Sequence, residues 1–373
     1  MTRRFMVLSA GMGAGHDAVA GELARRLGAQ GHQVLVHDVL TLLPAGAGRA
    51  LRSSYRFAVR HAPFLYAGVH ALFLAPGGDD GRAGDGTPGG RPGRSRLLDV
   101  SPLPALAEGR LSALVREWRP DAVVSTFHLA AQITGRMRGR GTLPVPSAVF
   151  VTDFALHRGW FHPDNDLYLC VTESCAEAVR SATGARTAVP GPVVPPEFGR
   201  PPDTGTPDPG TPGRPEVLIC TGAWGVGSGL IRTAQALAGH GCLPVLLCGR
   251  DERLRRRAGA VPGTIALGWV DDLPRRMASA RLLVDNAAGQ TAVQALAAGL
   301  PVVGYRPLAG HGATGVRAMA AEGLTASASS LGELLWRADE LLAPGPVREA
   351  QLARAAALFR DDAARFVAEL AAA

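Results

Sequence analysis

Short apolar runs alternate with amphipathic stretches along the chain. In the first half, runs at Phe5–Leu8, Gln33–His37, Asp121–Ser125 and Val145–Val151 predict buried strands. Between the first two runs, apolar positions at helical spacing predict a helix over Asp17–Leu27. Strands that alternate with helices are typical of a parallel sheet covered by helices on both faces.

The same alternation starts again after residue 215. It predicts a helix over Leu230–Leu237. The predicted strands of this half are Glu216–Cys220, Leu243–Cys248, Thr264–Leu267, Leu282–Asp285 and Val302–Tyr305. Residues 199–215 have no apolar periodicity and carry six prolines, which indicates a semi-rigid linker.

We therefore predict an α/β protein of two doubly wound, Rossmann-like domains, residues 1–198 and 216–373, joined by that linker. The alanine-rich segment Val347–Leu370 is amphipathic and is expected to pack back on the N-terminal domain. In such folds a ligand binds at the carboxyl ends of the strands, so the cleft between the two facing domains is the expected site.

Composition narrows the class of protein. The chain has 373 residues, of which 47% are hydrophobic and 19% charged, and this suits two folded domains with cores of their own. The first apolar run is too short for a secretory signal, and we expect no membrane-spanning helix. Five cysteines without CxxC spacing indicate neither a zinc site nor a disulfide framework, so a reducing cytoplasm is the expected location.

The net charge of +7 and a pI near 9.8 favour an anionic partner. Five arginines within residues 250–257 lack interleaved aromatic residues and predict a solvated helix face, so we expect no nucleic acid partner. Arg49–Leu74 does interleave arginines with aromatic and aliphatic residues, which suits a helix in the headgroup plane of an anionic membrane. The alternative is a core helix pair with solvated arginines. Gly77–Gly93 is expected to be a flexible loop.

Two glycine-rich loops each follow a predicted strand and precede a predicted helix. They are Leu8–Asp17, LSAGMGAGHD, and Thr221–Gly229, TGAWGVGSG. Their glycines permit tight turns and close approach of a ligand, and helix amides favour negative charge there. A dinucleotide-binding GxGxxG motif would need glycine where His16 stands. Each loop alone could be a plain strand-to-helix turn, but their matching positions favour a ligand held between the halves.

Three stretches, LSAGMGAGHD, Val151–Pro163 and Gly268–Val303, occur in an order that resembles the monogalactosyl- and glucosyl-diacylglycerol synthase family. That family is related to the peptidoglycan N-acetylglucosaminyltransferase that acts on lipid-linked precursors. The resemblance implies a GT-B fold with an interdomain cleft. It also implies a metal-independent, inverting hexosyltransferase that moves a sugar from a nucleotide donor, usually UDP-linked, to a lipid hydroxyl such as that of diacylglycerol.

The resemblance places the family's histidine, a proposed base or acceptor-site group, at His16. An inverting transfer needs a base for the acceptor hydroxyl, and an imidazole can take that proton. Asp153, which follows a predicted strand, is the rival base, or else it orients His157 or another neighbour. The residues expected on the acceptor side are Gly13, Gly15, His128, His157 and Trp160. His128, His157 and Trp160 could equally be structural, and for His128 the structural role is the preferred alternative.

On the donor side, the resemblance implies loop glycines near the phosphates, a backbone contact to the base, and a helix start that holds the diphosphate. The corresponding residues are Gly222, Gly225, Gly227, Val270, Gly289, Gln290, Thr291, Gln294 and His311. The alternative for Gln290 and Thr291 is an ordinary polar first turn of a helix. The implied co-substrate is a UDP-sugar, and neither a cofactor nor a metal is expected.

The chain departs from the family pattern at three places near the expected donor site. Gln294 stands where the family usually carries the glutamate for the ribose hydroxyls, and an amide accepts those hydrogen bonds more weakly. His311-Gly312 replaces a glutamine-acid pair near the sugar. Asn286-Ala287-Ala288 stands where a proline-glycine pair is common. The departures leave open which sugar and which nucleotide are used.

We therefore expect a cytoplasmic glycosyltransferase that binds peripherally to the inner face of the membrane. Two alternatives remain. One is a tailoring glycosyltransferase of secondary metabolism with a soluble or phosphoglycolipid acceptor. The other is a nucleotide- or lipid-binding module of the same fold that has no catalytic activity.

Overall fold

The computed structural model describes residues 1–61, 102–199 and 213–372. The predicted loop Gly77–Gly93, residues 62–74 of the predicted membrane-binding segment and residues 200–212 of the predicted linker lie outside these ranges. Within them, no helix combines the length and the apolar character that a bilayer crossing requires.

The first sheet has six parallel strands in the order β2-β1-β3-β4-β5-β6. These strands are β1 (Arg4–Ser9), β2 (Gln33–Asp38), β3 (Ala122–Ser125), β4 (Ser147–Phe150), β5 (Leu167–Leu169) and β6 (Thr187–Ala188). The helices of this half are α1 (Ala14–Ala29), α2 (Ala47–His61), α3 (Leu103–Trp118), α4 (His128–Gly139) and α5 (Glu173–Thr183). The four predicted strands are present, whereas β5 and β6 are too short to leave a periodic signal.

The second sheet also has six parallel strands, in the order β12-β11-β10-β7-β8-β9. The strands are β7 (Glu216–Cys220), β8 (Leu243–Leu247), β9 (Ile265–Leu267), β10 (Leu282–Asp285), β11 (Val302–Tyr305) and β12 (Ala326–Ala328). The strand order reverses between β7 and β10, which is the position where open α/β sheets bind ligands.

Eight helices accompany the second sheet in the described part of the chain. They are α6 (Leu230–Gly239), α7 (Glu252–Gly259), α8 (Leu273–Ser279), α9 (Gln290–Ala297), α10 (His311–Ala321), α11 (Leu331–Leu342), α12 (Pro346–Ala357) and α13 (Ala363–Leu370). Several have side-chain N-caps, such as Ser330 at the start of α11, whose Oγ accepts from Glu333 N while the Glu333 carboxylate accepts from Ser329 N.

Strand β1 shows why the sheets are covered on both faces. Phe5 and Val7 are fully buried in one core cluster, and Met6 and Leu8 are fully buried in another. Because successive side chains of a strand point to opposite faces, a strand that is apolar at every position needs a core on each side.

The last helix, α13, packs on the first half of the chain. Ala364 and Val367 are fully buried in the cluster that contains Leu23 and Leu27 of α1. Arg26 also pairs with Asp362 at 3.2 Å, just before α13. The chain therefore returns to its first domain after completing the second sheet.

Helix α1 begins at Ala14, three residues earlier than the predicted Asp17. Gly13 is the extended N-cap, and Ser9 Oγ donates to Asp17 Oδ1 at 2.7 Å. The prediction of a longer glycine loop was wrong because packing outweighs the low helix propensity of Gly15. His16 therefore lies in the first turn of a helix and not in the loop.

Candidate active site

The His16 side chain is held by backbone of the neighbouring strand end. Its Nδ1 lies 3.0 Å from the carbonyl oxygen of Thr126 and 3.4 Å from Thr152 Oγ1. Because a carbonyl can only accept, Nδ1 carries the proton in this contact, and the lone pair of the neutral ring is on Nε2. The Phe127 ring packs edge-on at 5.0 Å and fixes the ring plane. The geometry leaves Nε2 as the basic atom.

Asp153 lies just beyond the end of β4, as its sequence position suggested. Its Oδ2 accepts from Trp160 Nε1 at 2.8 Å, and Oδ1 accepts from Thr152 Oγ1 at 3.3 Å. Burial opposes ionisation, but His157, His16, His311 and the Trp160 bond together hold the pKa of the Asp153 carboxyl below its usual range. Asp153 is thus a carboxylate at neutral pH, surrounded by imidazoles from both halves of the chain.

His157 and Trp160 belong to a tight turn beside Asp153. His157 Nδ1 accepts from Gly159 N at 3.1 Å, so in the neutral ring the proton is on Nε2, 3.9 Å from Asp153 Oδ2. Trp160 is completely buried. We expected Trp160 to shape the acceptor pocket, but the structure places its ring in the core and only its N–H on Asp153.

The other residues expected on the acceptor side lie around the same turn and at the start of α1. The His128 ring lies tilted against the Phe127 ring, with the ring centroids 4.1 Å apart, and packs edge-on against the His157 ring at 4.8 Å. A Cβ atom on Gly13 would meet nothing within 4 Å, whereas one on Gly15 would lie 3.3 Å from Gln290 Cβ. Gly13 therefore borders open space, and Gly15 permits close approach of the second half.

The structure explains the three glycines of the second loop in different ways. Gly222 has a φ of +64° and open space beside it. A Cβ on Gly225 would lie 2.4 Å from Asp251 Cβ, and one on Gly227 would lie 2.7 Å from Asn286 Nδ2. Packing within the second half is thus sufficient to explain Gly225 and Gly227, and Gly222 is the one of the three that leaves room for a ligand.

The start of α9 is built by the end of β10. The buried Asp285 carboxylate accepts from Ala287 N at 2.9 Å and from Ala288 N at 2.6 Å, and burial raises the pKa of this carboxyl. This turn places Ala288 at a φ of +51° and leads to Gly289, the N-cap of α9. A Cβ on Gly289 would meet no atom of the described residues within 4 Å, so with respect to these residues the first amides of α9 adjoin open space.

Two polar side chains of the α9 first turn are engaged within the protein. Gln290 Nε2 donates to the carbonyl oxygen of Val193, in the first half, at 3.0 Å. Thr291 lies beside the Cys220 thiol, and burial raises the pKa of that thiol to about 11. Gln294 is half-buried one turn further along, on the same helix face as Gln290. Gln290, which we expected at the donor site, thus also makes a contact between the two halves.

His311 is the first residue of α10 and acts electrostatically on Asp153 of the other half. Val270 is partly buried against a core cluster. Beside it, Trp269 is 48% exposed and carries the Arg250 guanidinium 4.9 Å from its ring centroid. The structure therefore brings His311 towards the catalytic candidates and places Val270 near an exposed aromatic ring.

Sequence reasoning missed the contacts that α2 makes with the second half. The Tyr55 ring packs edge-on against Trp224 of the second glycine loop at 5.9 Å. Arg60 forms an ion pair with Asp251, the N-cap of α7. The interleaving of arginines and aromatic residues signalled an interface in this segment, and for these two residues the partner is the protein itself.

All five cysteines are free and buried, so burial rather than metal binding or cross-linking accounts for them. Burial raises the pKa of Cys170 to about 12 and that of Cys175 to about 11. Among the described residues, no three His, Cys, Asp or Glu side chains are grouped as metal ligands would be.

Comparisons with known proteins agree with this architecture. A family model described as monogalactosyldiacylglycerol (MGDG) synthase matches residues 100–191. A processive diacylglycerol beta-glucosyltransferase of Bacillus subtilis is 25% identical over 213 residues, 54% of this chain and 55% of that protein. The protein of the same name from Bacillus pumilus is 26% identical over 217 residues, with the same coverage. The chain thus spans about 55% of the length of the curated relatives it matches.

Solved structures extend the likeness over the whole chain. MurG of Acinetobacter baumannii has a TM-score of 0.58 at 15% identity, covering 100% of this chain and 99% of its own. The glycosyltransferase SnogD of Streptomyces nogalater has a TM-score of 0.60 at 19% identity, with the same coverage. SsfS6 of Streptomyces sp. SF2575, complexed with thymidine diphosphate, has a TM-score of 0.59 at 18% identity and covers 100% of both chains. The predicted GT-B fold and the resemblance to the diacylglycerol glycosyltransferases are both confirmed.

Proposed function

We propose that the protein is an inverting hexosyltransferase that moves a sugar from a nucleotide donor to a hydroxyl of a lipid acceptor such as diacylglycerol. The observation that carries the proposal is the meeting of His16 and Asp153, from the first half, with His311 and the open start of α9, from the second. A base, a carboxylate and a helix amino end then converge on one region. The names of the relatives supply the acceptor class.

In the proposed reaction, His16 Nε2 removes the proton of the acceptor hydroxyl. The acceptor oxygen forms a bond to the anomeric carbon while the bond from that carbon to the phosphate oxygen breaks. The nucleotide diphosphate leaves with the electron pair, and the proton remains on the imidazole. Asp153 is ionised and stabilises the imidazolium that forms, so the two residues act together.

The leaving diphosphate is proposed to bind at the amino end of α9. The first amides of a helix are unpaired donors, and the helix dipole adds partial positive charge there. Gly289 has no side chain to fill the adjoining space, and Gly222 leaves similar room on the neighbouring loop. These groups favour the developing negative charge, and the proposed mechanism uses no metal ion.

Membrane binding is proposed through exposed side chains of α2 that lie beside its contacts with the second half. Arg49 and Arg56 are exposed on this helix, and the Phe57 side chain is 62% exposed. Arginines beside an exposed aromatic ring suit the headgroup region of an anionic membrane. We therefore propose peripheral attachment to the inner face of the membrane in the cytoplasm.

A panel of nucleotide sugars tests the donor. A ligand that binds only the folded state raises the melting temperature with its concentration, so the donor is identified by stabilisation. The panel contains UDP-linked and thymidine-diphosphate-linked hexoses, because a structural neighbour holds thymidine diphosphate. The stabilising donor is then incubated with diacylglycerol in anionic vesicles and the glycolipid product is measured by mass spectrometry.

The outcome separates the proposed function from its alternatives. Sugar transfer to diacylglycerol supports it. Transfer that occurs only to soluble or phosphoglycolipid acceptors indicates a tailoring enzyme. Stabilisation by a nucleotide without transfer to any acceptor indicates a binding module, and no stabilisation by any nucleotide sugar contradicts the proposal.

A further inference from the structure

The turn that carries Trp160 is anchored from one side by a single buried amide. Gln132 of α4 is 4% exposed, and its Nε2 donates to the carbonyl oxygens of Gly159 at 3.0 Å and Phe161 at 2.8 Å. A buried amide that satisfies two backbone acceptors fixes the path of the chain between them, because losing it would leave both acceptors unpaired. Trp160 lies between these two residues.

A buried phenol anchors the turn from the other side. Tyr168 is fully buried, its oxygen accepts from His162 N at 2.8 Å, and its one proton is shared between the carbonyl oxygens of His162 at 2.8 Å and Trp160 at 3.1 Å. Burial raises the pKa of Tyr168 to about 12, so the phenol stays neutral and keeps its proton as a donor. The backbone from Gly159 to His162, which includes Trp160, is therefore held from both sides.

One polar atom of this anchored turn, Trp160 Nε1, contacts the candidate site. The Trp160 ring is completely buried, and its Nε1 donates to Asp153 Oδ2 at 2.8 Å. The Asp153 side chain is 27% exposed, so Asp153 is the member of the pair that can reach a substrate. An indole N–H only donates, so it orients the carboxylate and favours its ionised form.

Other groups around Asp153 act on its charge but constrain its orientation less. His16, His157 and His311 lie within electrostatic reach of the carboxylate, and the Cys175 thiol lies 3.5 Å from its backbone oxygen. His157 Nε2 is 3.9 Å away, beyond hydrogen-bond distance. The short bonds to the carboxylate oxygens come from Trp160 and, at 3.3 Å, from Thr152.

We propose that Trp160 is a positioning residue, which fixes the Asp153 carboxylate in the orientation that sugar transfer requires and does not itself contact a substrate. The catalytic consequence rests on the proposed function. The orientation of Asp153 by Trp160 is a property of the substrate-free protein, so it can be measured without any substrate.

Trp160→Phe tests the proposal, because it removes the indole N–H and keeps an aromatic ring. The matched control is Trp118→Phe, since the buried Trp118 Nε1 has no hydrogen-bond partner among the residues that the structure describes. The pH titration of the Asp153 carboxyl carbon is followed by NMR in the substrate-free chain. We expect its midpoint to rise by about one pH unit in Trp160→Phe, as the carboxylate loses a donor, and to stay unchanged in Trp118→Phe.

Kinetics supply the second measurement. With the donor and diacylglycerol, Trp160→Phe is expected to lower kcat about tenfold, the equivalent of one charge-assisted hydrogen bond, with both KM values unchanged. Adding it to Asp153→Asn should cause no further loss, because Trp160 acts through that carboxylate. Losses that multiply in the double variant, or a raised KM for the acceptor, would overturn the proposal.

The measurements distinguish a failure of this proposal from a failure of the proposed function and from a variant that does not fold. If no donor is turned over, that function is wrong, and the carboxyl titration alone decides whether Trp160 positions Asp153. If Trp160→Phe does not fold, the indole N–H resonance of Trp160 is compared in the wild type and in Asp153→Asn. A resonance that shifts with acid in the wild type alone supports the proposal, and equal behaviour in both proteins refutes it.

Discussion

At the scale of single residues, the chemistry of the site depends on which atom of each ring or carboxylate already makes a hydrogen bond within the protein. His16 uses Nδ1 for the Thr126 carbonyl, so its chemistry is confined to Nε2. Asp153 is bound by Trp160 on one oxygen, and nearby imidazoles lower its pKa. The division of roles into a base and a stabilising carboxylate follows from these contacts.

Substituting His16→Ala is expected to lower kcat by about 10²–10⁴-fold, the range for loss of a general base. Nucleotide affinity should change little, because the imidazole acts in the chemical step. Initial rates and calorimetric titration of the nucleotide measure the two effects. His240→Ala is the control, since His240 lies at the C-terminal end of α6 and pairs with Asp339. Loss of nucleotide binding with unchanged kcat would contradict the assignment.

At the scale of elements, two helix starts from different halves meet. Gly15 in the first turn of α1 would place a Cβ 3.3 Å from Gln290 in the first turn of α9, and Gln290 bonds the first half at Val193. Gly13 and Gly289, the N-caps of these helices, both adjoin space that no described residue fills. Two helix amino ends beside one space favour an anion there.

Gly289→Ala distinguishes a functional glycine from a structural one. The backbone of Gly289 has φ −95°, which any residue adopts, and an added Cβ meets no atom within 4 Å. We therefore expect an unchanged melting temperature but nucleotide affinity lowered about tenfold, because the methyl group occupies the space proposed for the diphosphate.

Gly332→Ala is the matched control for this variant, as it lies in the first turn of α11 and also has open space. It should leave the affinity unchanged. Equal nucleotide affinity of Gly289→Ala and the wild type would argue against diphosphate binding at α9.

At the scale of the whole molecule, several separate contacts hold the two halves together. Helix α2 reaches Trp224 and Asp251 of the second half, and α13 returns to pack on α1. The backbones at Gly191 and Leu358 approach each other so closely that a Cβ on Gly191 would lie 1.8 Å from the Leu358 carbonyl oxygen. These contacts decide how the two sheets face each other.

Arg60→Glu places a carboxylate beside Asp251 and should weaken the contact of α2 with the second half. The Arg60 side chain is 38% exposed and that of Asp251 12%, so we expect an effect of about 1 kcal/mol, enough to change the population of separated halves several-fold. Small-angle X-ray scattering should show a larger radius of gyration. Arg56→Glu, at an exposed position one turn earlier on α2, is the control, and equal radii in both variants would refute the prediction.

Gly191→Ala should destabilise the protein by about 2–4 kcal/mol, the sum of a positive-φ penalty and an overpacked backbone contact. Gly191 has φ +79°. Gly184→Ala is the control, because Gly184 has φ +69° but no atom within 4 Å of the added Cβ, and it should lose only about 1 kcal/mol. Chemical denaturation measures both, and equal losses would show that the crossing at Leu358 is not tight.

The sequence by itself determined the order of the main strands and helices, because apolar periodicity is a local property that survives without its partners. It also marked His16, Asp153 and His311 as candidates. Only the tertiary structure decided that Trp160 is buried behind Asp153, that Gln290 bonds Val193, and that α2 reaches the second half. Each of these contacts joins side chains whose partners depend on how distant parts of the chain pack, and no local pattern encodes that geometry.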